Sequence, residues 1–332
     1  MTTHPQTQPA RTTNGRTHRA WNVSYAAVVA VAVLAVACSS SSGSKSAPAT
    51  STSSKVTTAT SAPAPTSAQA AMVAARPVEV HTPPGLSATK PAPLLILLHG
   101  YGATGAVQDA YLKLTPVADE HGMLYVHPDG TLNPLDKRYW NATDACCGPQ
   151  STVDDSAYLT AIIADVKSRY TVDPKRVFII GHSNGGFMAF RMACDHADEI
   201  AAIVSFEAAT WADPSKCTPS EAVSVLAIHG TGDQTIKYDG DSIGGAAYPS
   251  ATTTVQTWAR YDGCKPTPDP NVTTTHMIED QRPPATVTSY SSGCKPNGHV
   301  ELWTQPDGPH IPVLSPTFSE QLVTFLLAHP KR

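Results

Sequence analysis

Three residues of this chain are of the types that together let a hydroxyl attack a carbonyl carbon. Ser183 stands in Gly-His-Ser-Asn-Gly, flanked by Gly181 and Gly185, directly after the apolar run from Arg176 to Ile180 and before a small-residue helical stretch. A serine held out of a tight strand-to-helix turn is a nucleophile elbow, and its flanking glycines are needed because the turn has no room for side chains. A free serine hydroxyl is a weak nucleophile, so the chemistry also needs a base and an acid to orient it. Asp233 follows the strand-like "VLAIHG" and is the candidate acid, with Asp239 and Asp241 as competitors read as a solvated loop tip. His310, in "QPDGPH" just before the last helical stretch, is the candidate base. Its rivals are His299, which opens a strand rather than following one, and His229, read as structural beneath its loop.

A fourth element is "LLHGYG", from Leu97 to Gly102. It ends an early apolar run and could place the Tyr101 backbone N–H beside the serine. With the N–H of Asn184, this would make a pair of donors for the oxyanion of a tetrahedral intermediate. "GYGATG" lacks the Gly-Lys-Ser/Thr of a phosphate loop, so that reading is rejected. Trp211, Trp140 and His182 are candidate substrate contacts; Trp303 is another tryptophan near a strand end. The cysteines and histidines show no metal-ligand spacing, and the chemistry calls for neither metal nor cofactor.

These residues need a scaffold that brings three strand ends together. Apolar runs (Pro93 to Gly100, Met123 to Gly130, Arg176 to Ile180, Ile200 to Phe206, Val223 to Gly230) alternate with helical stretches. The latter include one long helix after Gly102 that runs through Pro116, an amphipathic helix from Val153, another near Tyr248–Tyr261, and a closing helix with Ser315 as N-cap and Pro316 at its first position. "ATVTSY" and "HVELWTQ" read as later strands. Alternation of this kind predicts an α/β fold, a mostly parallel central sheet with helices on both faces. In such sheets chemistry lies beyond the carboxyl ends of the strands.

The chain has 332 residues and a formal net charge of −4, with no basic run in the folded part, which argues against a nucleic-acid partner. Residues 1–38 read as an export signal: a basic start, the apolar run Tyr25 to Cys38, and an Ala-x-Ala pattern before Cys38 that also resembles a lipoprotein box. Lipid-anchored on Cys38 and freely secreted both stay open. Residues 39–75, rich in Ser, Ala, Thr and Pro, read as a disordered linker, which leaves 76–332 as one catalytic domain, expected to be monomeric. Of the seven cysteines, Cys264–Cys294 and Cys194–Cys217 are the expected disulfides, while the partners of Cys146 and Cys147 stay open.

The segments "LHGYG", "RYWNATDACCG", "VDDSAYL", "RVFIIGHSNGGFMAFRMAC", "HGTGD", "TWARYDGC" and "VELW…GPH" together resemble the secreted polyhydroxybutyrate-depolymerase-like and feruloyl-esterase-like hydrolases of the α/β-hydrolase superfamily, carbohydrate esterase family 1 in type. The resemblance runs from about Pro77 to the C-terminus and implies a Ser183–Asp233–His310 triad in the chain order of that superfamily. One departure stands out: where those relatives often carry "GGGH" followed by Trp-Pro, this chain has "PDGPHIP". The implied activity is carboxylic-ester hydrolysis through an acyl-enzyme. An acyltransferase acting on a cell-envelope acceptor and a non-catalytic scaffold are the alternatives.

Overall fold

A computed structural model describes residues 64–146, 151–270, 273–279 and 282–332. The expected export signal, Cys38, most of the linker and Cys147 lie outside the described residues. None of the described helices is long and apolar enough to cross a membrane.

In chain order the elements are α1 (Ser67–Ala75), β1 (Ala92–Leu98), α2 (Gly105–Leu112), α3 (Leu114–Glu120), β2 (Leu124–Val126), β3 (Thr131–Leu132), β4 (Arg138–Tyr139), α4 (Asp155–Arg169), β5 (Val172–His182) and α5 (Asn184–Asp195). There follow β6 (Ala202–Phe206), β7 (Ser224–Gly230), β8 (Asp241–Ile243), β9 (Ala246–Tyr248), α6 (Ala251–Tyr261), β10 (Thr273–Thr275), β11 (Ala285–Tyr290), β12 (Val300–Gln305) and α7 (Phe318–Ala328). The main sheet has eight strands in the order β10-β11-β12-β7-β6-β5-β1-β2. The six from β12 to β2 are parallel, and β11 and β10 extend one edge in antiparallel fashion.

Why the strands read as unbroken apolar runs is plain from the two cores. Leu94, Ile96 and Leu98 of β1 face a core shared with α4, α5 and α6. Leu95 and Leu97 face the opposite core, built with α2, α3 and α7. The same alternation divides Val177 and Ile179 from Phe178 and Ile180 in β5, and Val225 and Ala227 from Leu226 and Ile228 in β7. A strand covered on both faces has no polar side to alternate with.

Three sequence expectations are corrected. The helix expected to run through Pro116 is two helices, α2 and α3, joined at Lys113 in the left-handed conformation (φ 55°). Proline has no N–H and its ring collides with the carbonyl four residues back, so Pro116 is accepted only in the first turn of a new helix. The closing helix has its N-cap position at Thr317 rather than Ser315; Ser315 is tied to the neighbouring strand segment instead, its hydroxyl donating to the His276 carbonyl and its N–H to that of Met277, beside the Ile278–Leu314 bridge. The stretch 39–75, expected to be linker throughout, ends in α1. There the Thr66 hydroxyl accepts the Gln69 N–H while the Gln69 side chain accepts the Thr66 N–H, a reciprocal cap that favours helix in an alanine-rich segment.

Both expected disulfides are present, Cys194–Cys217 and Cys264–Cys294, and Cys146 is also disulfide-bonded. Because Cys264–Cys294 closes a 30-residue separation, the Cys264→Ser, Cys294→Ser double variant should lose roughly 3 kcal/mol of unfolding free energy in a denaturant titration.

At the end of α6, Asp262 is fully buried; its Oδ1 accepts the Val223 N–H at 3.2 Å, and its Oδ2 has no partner. Burial pushes its carboxyl up to about 8, against a modest opposing pull from the Val223 N–H. A carboxyl raised in the folded state is protonated there while the unfolded chain ionises. Stability therefore falls as pH rises from about 4 to about 8 and changes no further above that. Asp262→Asn should melt at a higher temperature than the wild type at pH 8, with the gain vanishing towards pH 4. A gain independent of pH would contradict this assignment.

Candidate functional site

The parallel register sets the site. His182, Phe206, Ile228 and Trp303 are aligned neighbours across β5, β6, β7 and β12. The next residues, Ser183, Glu207 and His229, therefore emerge side by side at the carboxyl ends of three adjacent strands. The ladder runs on through them: the Ser183 N–H donates to the Phe206 carbonyl at 2.8 Å, and the Glu207 N–H to the Ile228 carbonyl at 2.9 Å.

Ser183 sits at φ 54° as the residue capping α5. A non-glycine residue there is strained and is held by its surroundings. Those surroundings are very close: a Cβ on Gly181 would lie 2.1 Å from the Gly185 carbonyl oxygen, and one on Gly185 would lie 2.2 Å from that of Leu98. The two glycines thus let α5 start against the end of β1 while the serine side chain turns outward.

Asp233 and His310 come from the loops after β7 and β12. The Gly232 N–H donates to the Gly308 carbonyl, the Thr231 N–H to that of Gln305, and the Asp307 N–H to the Thr231 hydroxyl. His310 Nδ1 then donates to Asp233 Oδ2 at 2.6 Å, and its Nε2 lies 2.9 Å from Ser183 Oγ. With the ring proton fixed on Nδ1, Nε2 is left to accept the serine proton. The structure thus brings together Ser183, Asp233 and His310, the three residues singled out from sequence. Burial works to raise the Asp233 carboxyl, but the nearby His229 imidazole and hydrogen bonds from His310 and the Ile236 N–H overcome it and hold the group well below the usual carboxylate range.

Asn184 opens α5, whose first N–H groups have no partner within the helix. The Tyr101 loop runs past the serine, since a Cβ on Gly100 would lie 3.3 Å from Ser183 Cβ. His182 is buried beneath His310: its Nε2 donates to the His310 carbonyl at 3.1 Å, and the rings stand 5.2 Å apart. Burial, together with repulsion from His310, pushes its imidazole down to about 4, so it is neutral at pH 7. Trp140 is fully buried, and its indole N–H donates to the His99 carbonyl. Trp140 therefore supports the end of β1 and lines no open cleft, a correction to its reading as a substrate contact. Trp211 lines a cavity of about 420 Å³ together with Asn141, Thr143, Arg191, Asp195 and Lys216, and the three triad candidates are not part of that lining. His229 donates from Nε2 to the Ile236 carbonyl at 2.7 Å and holds the Asp233 loop from beneath. His299 instead opens β12, at the far end of the sheet, and Asp241 pairs with Lys237 at the exposed tip.

Two side chains went unnoticed in the sequence. Asn184 clamps Trp140, accepting its N–H at 2.6 Å and donating to its carbonyl at 2.9 Å. Glu207 is fully buried, left-handed (φ 53°), and accepts the Gly230 N–H on both carboxyl oxygens at 3.1 Å. The available signal was an acidic residue set directly after the apolar strand "AIVSF". Glu207, His229 and Asp233 place one potential ligand atom each within 4.8 Å of one another. A cation there would compete with the Ile236 carbonyl for His229 Nε2 and with His310 for Asp233 Oδ2.

The profile of a family described as phospholipase/carboxylesterase matches residues 86–262. Among curated proteins the chain is 29% identical to feruloyl esterase B of Piromyces equi over 204 residues, covering 59% of this chain and 37% of that one. It is 30% identical to a poly(3-hydroxybutyrate) depolymerase of Ralstonia pickettii over 118 residues, covering 33% and 24%. The chain spans between 22% and 58% of the length of such curated relatives. Among solved structures, the acetyl xylan esterase from Aspergillus awamori superposes with a TM-score of 0.53 at 13% identity, covering 75% of this chain and 93% of that one, and so shares its fold. A mostly parallel sheet, a strained serine turn at the end of its fifth strand and a family profile spanning more than half the chain agree: the protein has the α/β-hydrolase fold and belongs to the phospholipase/carboxylesterase family, the ester hydrolases.

Proposed function

We propose that this protein is an exported serine esterase that works through an acyl-enzyme, with Ser183 as nucleophile, His310 as general base and acid, and Asp233 as the group that orients the imidazole. The observation carrying this reading is the unbroken line from Ser183 Oγ to His310 Nε2 (2.9 Å) and from His310 Nδ1 to Asp233 Oδ2 (2.6 Å). As Ser183 Oγ bonds to the ester carbonyl carbon, its proton passes to His310 Nε2, and Asp233 stabilises the imidazolium. The N–H groups of Tyr101 and Asn184 receive the oxyanion; losing one such donor costs about 3 kcal/mol of transition-state stabilisation. The imidazolium then gives its proton to the departing alcohol, and water repeats the sequence to release the acid and free the serine.

The proposed substrates are polyhydroxybutyrate-type esters or feruloyl and other phenolic esters, the classes named by the two relatives. A hydrophobic acyl or alcohol group also suits the exposed apolar side chains beside the site: Tyr101 next to the Gly100 turn, and Ile311 and Val313 just after His310. Export is supported by the disulfides, which persist in oxidising compartments. In this reading residues 1–38 are the export signal, 39–66 a linker and the remainder the catalytic unit, tethered through a lipid on Cys38 or released.

The test follows acid release from p-nitrophenyl butyrate, methyl ferulate and a soluble 3-hydroxybutyrate oligomer, for the wild type and Ser183→Ala. The alanine variant should keep the fold and lose at least about 10³-fold in kcat on every ester the wild type hydrolyses. A retained rate would remove Ser183 from the mechanism. Diversion of product from free acid to a new ester on addition of a sugar acceptor would instead favour the acyltransferase, and a folded wild type inert to a serine-directed phosphonate would favour the scaffold.

A further inference from the structure

We propose that Glu207 is a positioning residue for the triad: a protonated carboxylic acid that donates its O–H to Asp233 and sets how strongly Asp233 holds His310. This inference rests on the triad reading above.

Glu207 is fully buried at the end of β6, between the serine turn and the Asp233 loop. A ring nitrogen of His229, a carboxyl oxygen of Glu207 and one of Asp233 all lie within 4.8 Å of one another. His229 Nε2 stands between them, 3.4 Å from Glu207 Oε2 and 3.6 Å from Asp233 Oδ2, but its proton is directed at the Ile236 carbonyl 2.7 Å away. The groups facing the pair are Asp233 and His229 from the end of β7, His310 from the loop after β12, His182 from β5, Tyr111 from α2, and Tyr238 packed on His229. No lysine or arginine is among them. Two carboxyls this close and this dry cannot both ionise.

The donors decide which one holds the proton. Asp233 Oδ1 accepts the N–H groups of Thr235 and Ile236 at 2.7 and 2.9 Å, and its Oδ2 accepts His310. Among the described residues Glu207 accepts a hydrogen bond from the Gly230 N–H alone, shared between its two oxygens. Asp233 is therefore the carboxylate and Glu207 the acid. In agreement, burial and the Asp233 charge push Glu207 well above the usual carboxylate range. A further donor on Asp233, beside Thr235, Ile236 and His310, fixes the orientation of the carboxylate towards His310 and tempers how tightly it holds the His310 proton.

The experiment measures kcat and KM against pH on p-nitrophenyl butyrate for the wild type, Glu207→Leu, Glu207→Gln and Ser183→Ala. Leucine leaves Asp233 without the O–H that fixes its orientation and should lower kcat about tenfold, the size of one charge-assisted hydrogen bond, while KM stays within about twofold. It should also move the acid limb of the profile to higher pH, because an Asp233 without the Glu207 O–H holds the His310 proton more tightly. Glutamine, neutral and able to donate, should restore most of the lost kcat and the wild-type limb. A limb that moves to lower pH in Glu207→Gln would mean that a negative charge had been removed, and would overturn the proposal. A Glu207→Leu variant with wild-type kcat and limb, only less stable, would reduce Glu207 to a structural residue and also overturn it. If the leucine variant does not fold, the infrared difference between wild type and Glu207→Gln at neutral pH decides. Loss of a protonated-acid carbonyl band supports the proposal, and loss of carboxylate bands alone overturns it. Hydrolysis surviving in Ser183→Ala would mark failure of the triad reading itself, separately from these outcomes.

Discussion

The geometry of the site depends on the close approach of two loop backbones at Gly230 and Gly308. A Cβ on Gly230 would lie 2.1 Å from the Gly308 carbonyl oxygen, so any side chain there would push the loops after β7 and β12 apart. Asp233 rides on the first loop and His310 on the second, and their 2.6 Å hydrogen bond exists only while the loops stay together. Three hydrogen bonds, from Thr231, Gly232 and Asp307, tie the same seam. A shift of one ångström here would break the line to Ser183, a displacement that is costly wherever proton transfer needs hydrogen-bond contact.

Around this seam the titratable groups are held by burial and by backbone partners. His182 is pressed down to about 4 by burial and by His310, and it uses its remaining N–H to hold the His310 carbonyl. His229 is directed at a backbone carbonyl. Asp233 is the carboxylate that the surrounding donors favour, and in this buried setting its attraction to His310 is little screened. The outer support is backbone-directed as well: Asn184 grips both backbone groups of Trp140, and Trp140 grips the carbonyl of His99 at the end of β1. The loop bearing Tyr101 is thereby attached to the first residue of the serine's helix.

Much of this was legible in the residue pattern, for identifiable reasons. The elbow was readable because a strained turn demands glycines at fixed offsets from Ser183, and the strands because burial on both faces removes polar positions. His310 was singled out despite "PDGPHIP" in place of the glycine-rich pattern of similar chains, since its place after a strand and before the last helix is itself a constraint, and the structure sets its Nε2 2.9 Å from Ser183 Oγ. The break at Lys113 was missed although Pro116 announced it, because a proline in the first turn and one in the middle of a helix look alike without the boundary. The Thr317 start of α7 depends on a bridge to Ile278, a partner some forty residues away, which no local capping rule contains.

The sequence by itself determined the alternation of strands and helices, the doubly covered parallel sheet, and the nucleophile candidate with its two candidate partners, because these follow from short-range periodicity and turn chemistry. Only the tertiary structure decided what each remaining polar residue does. Trp140 was indistinguishable from a cleft tryptophan until its burial and its bond to His99 were seen. Glu207 was one acid after one strand until the register of β5, β6 and β7 set it close to Asp233 and His229. The physical reason is the same in both cases: the state of a polar group is fixed by its desolvation and by partners far away along the chain, and neither is written in the residues next to it.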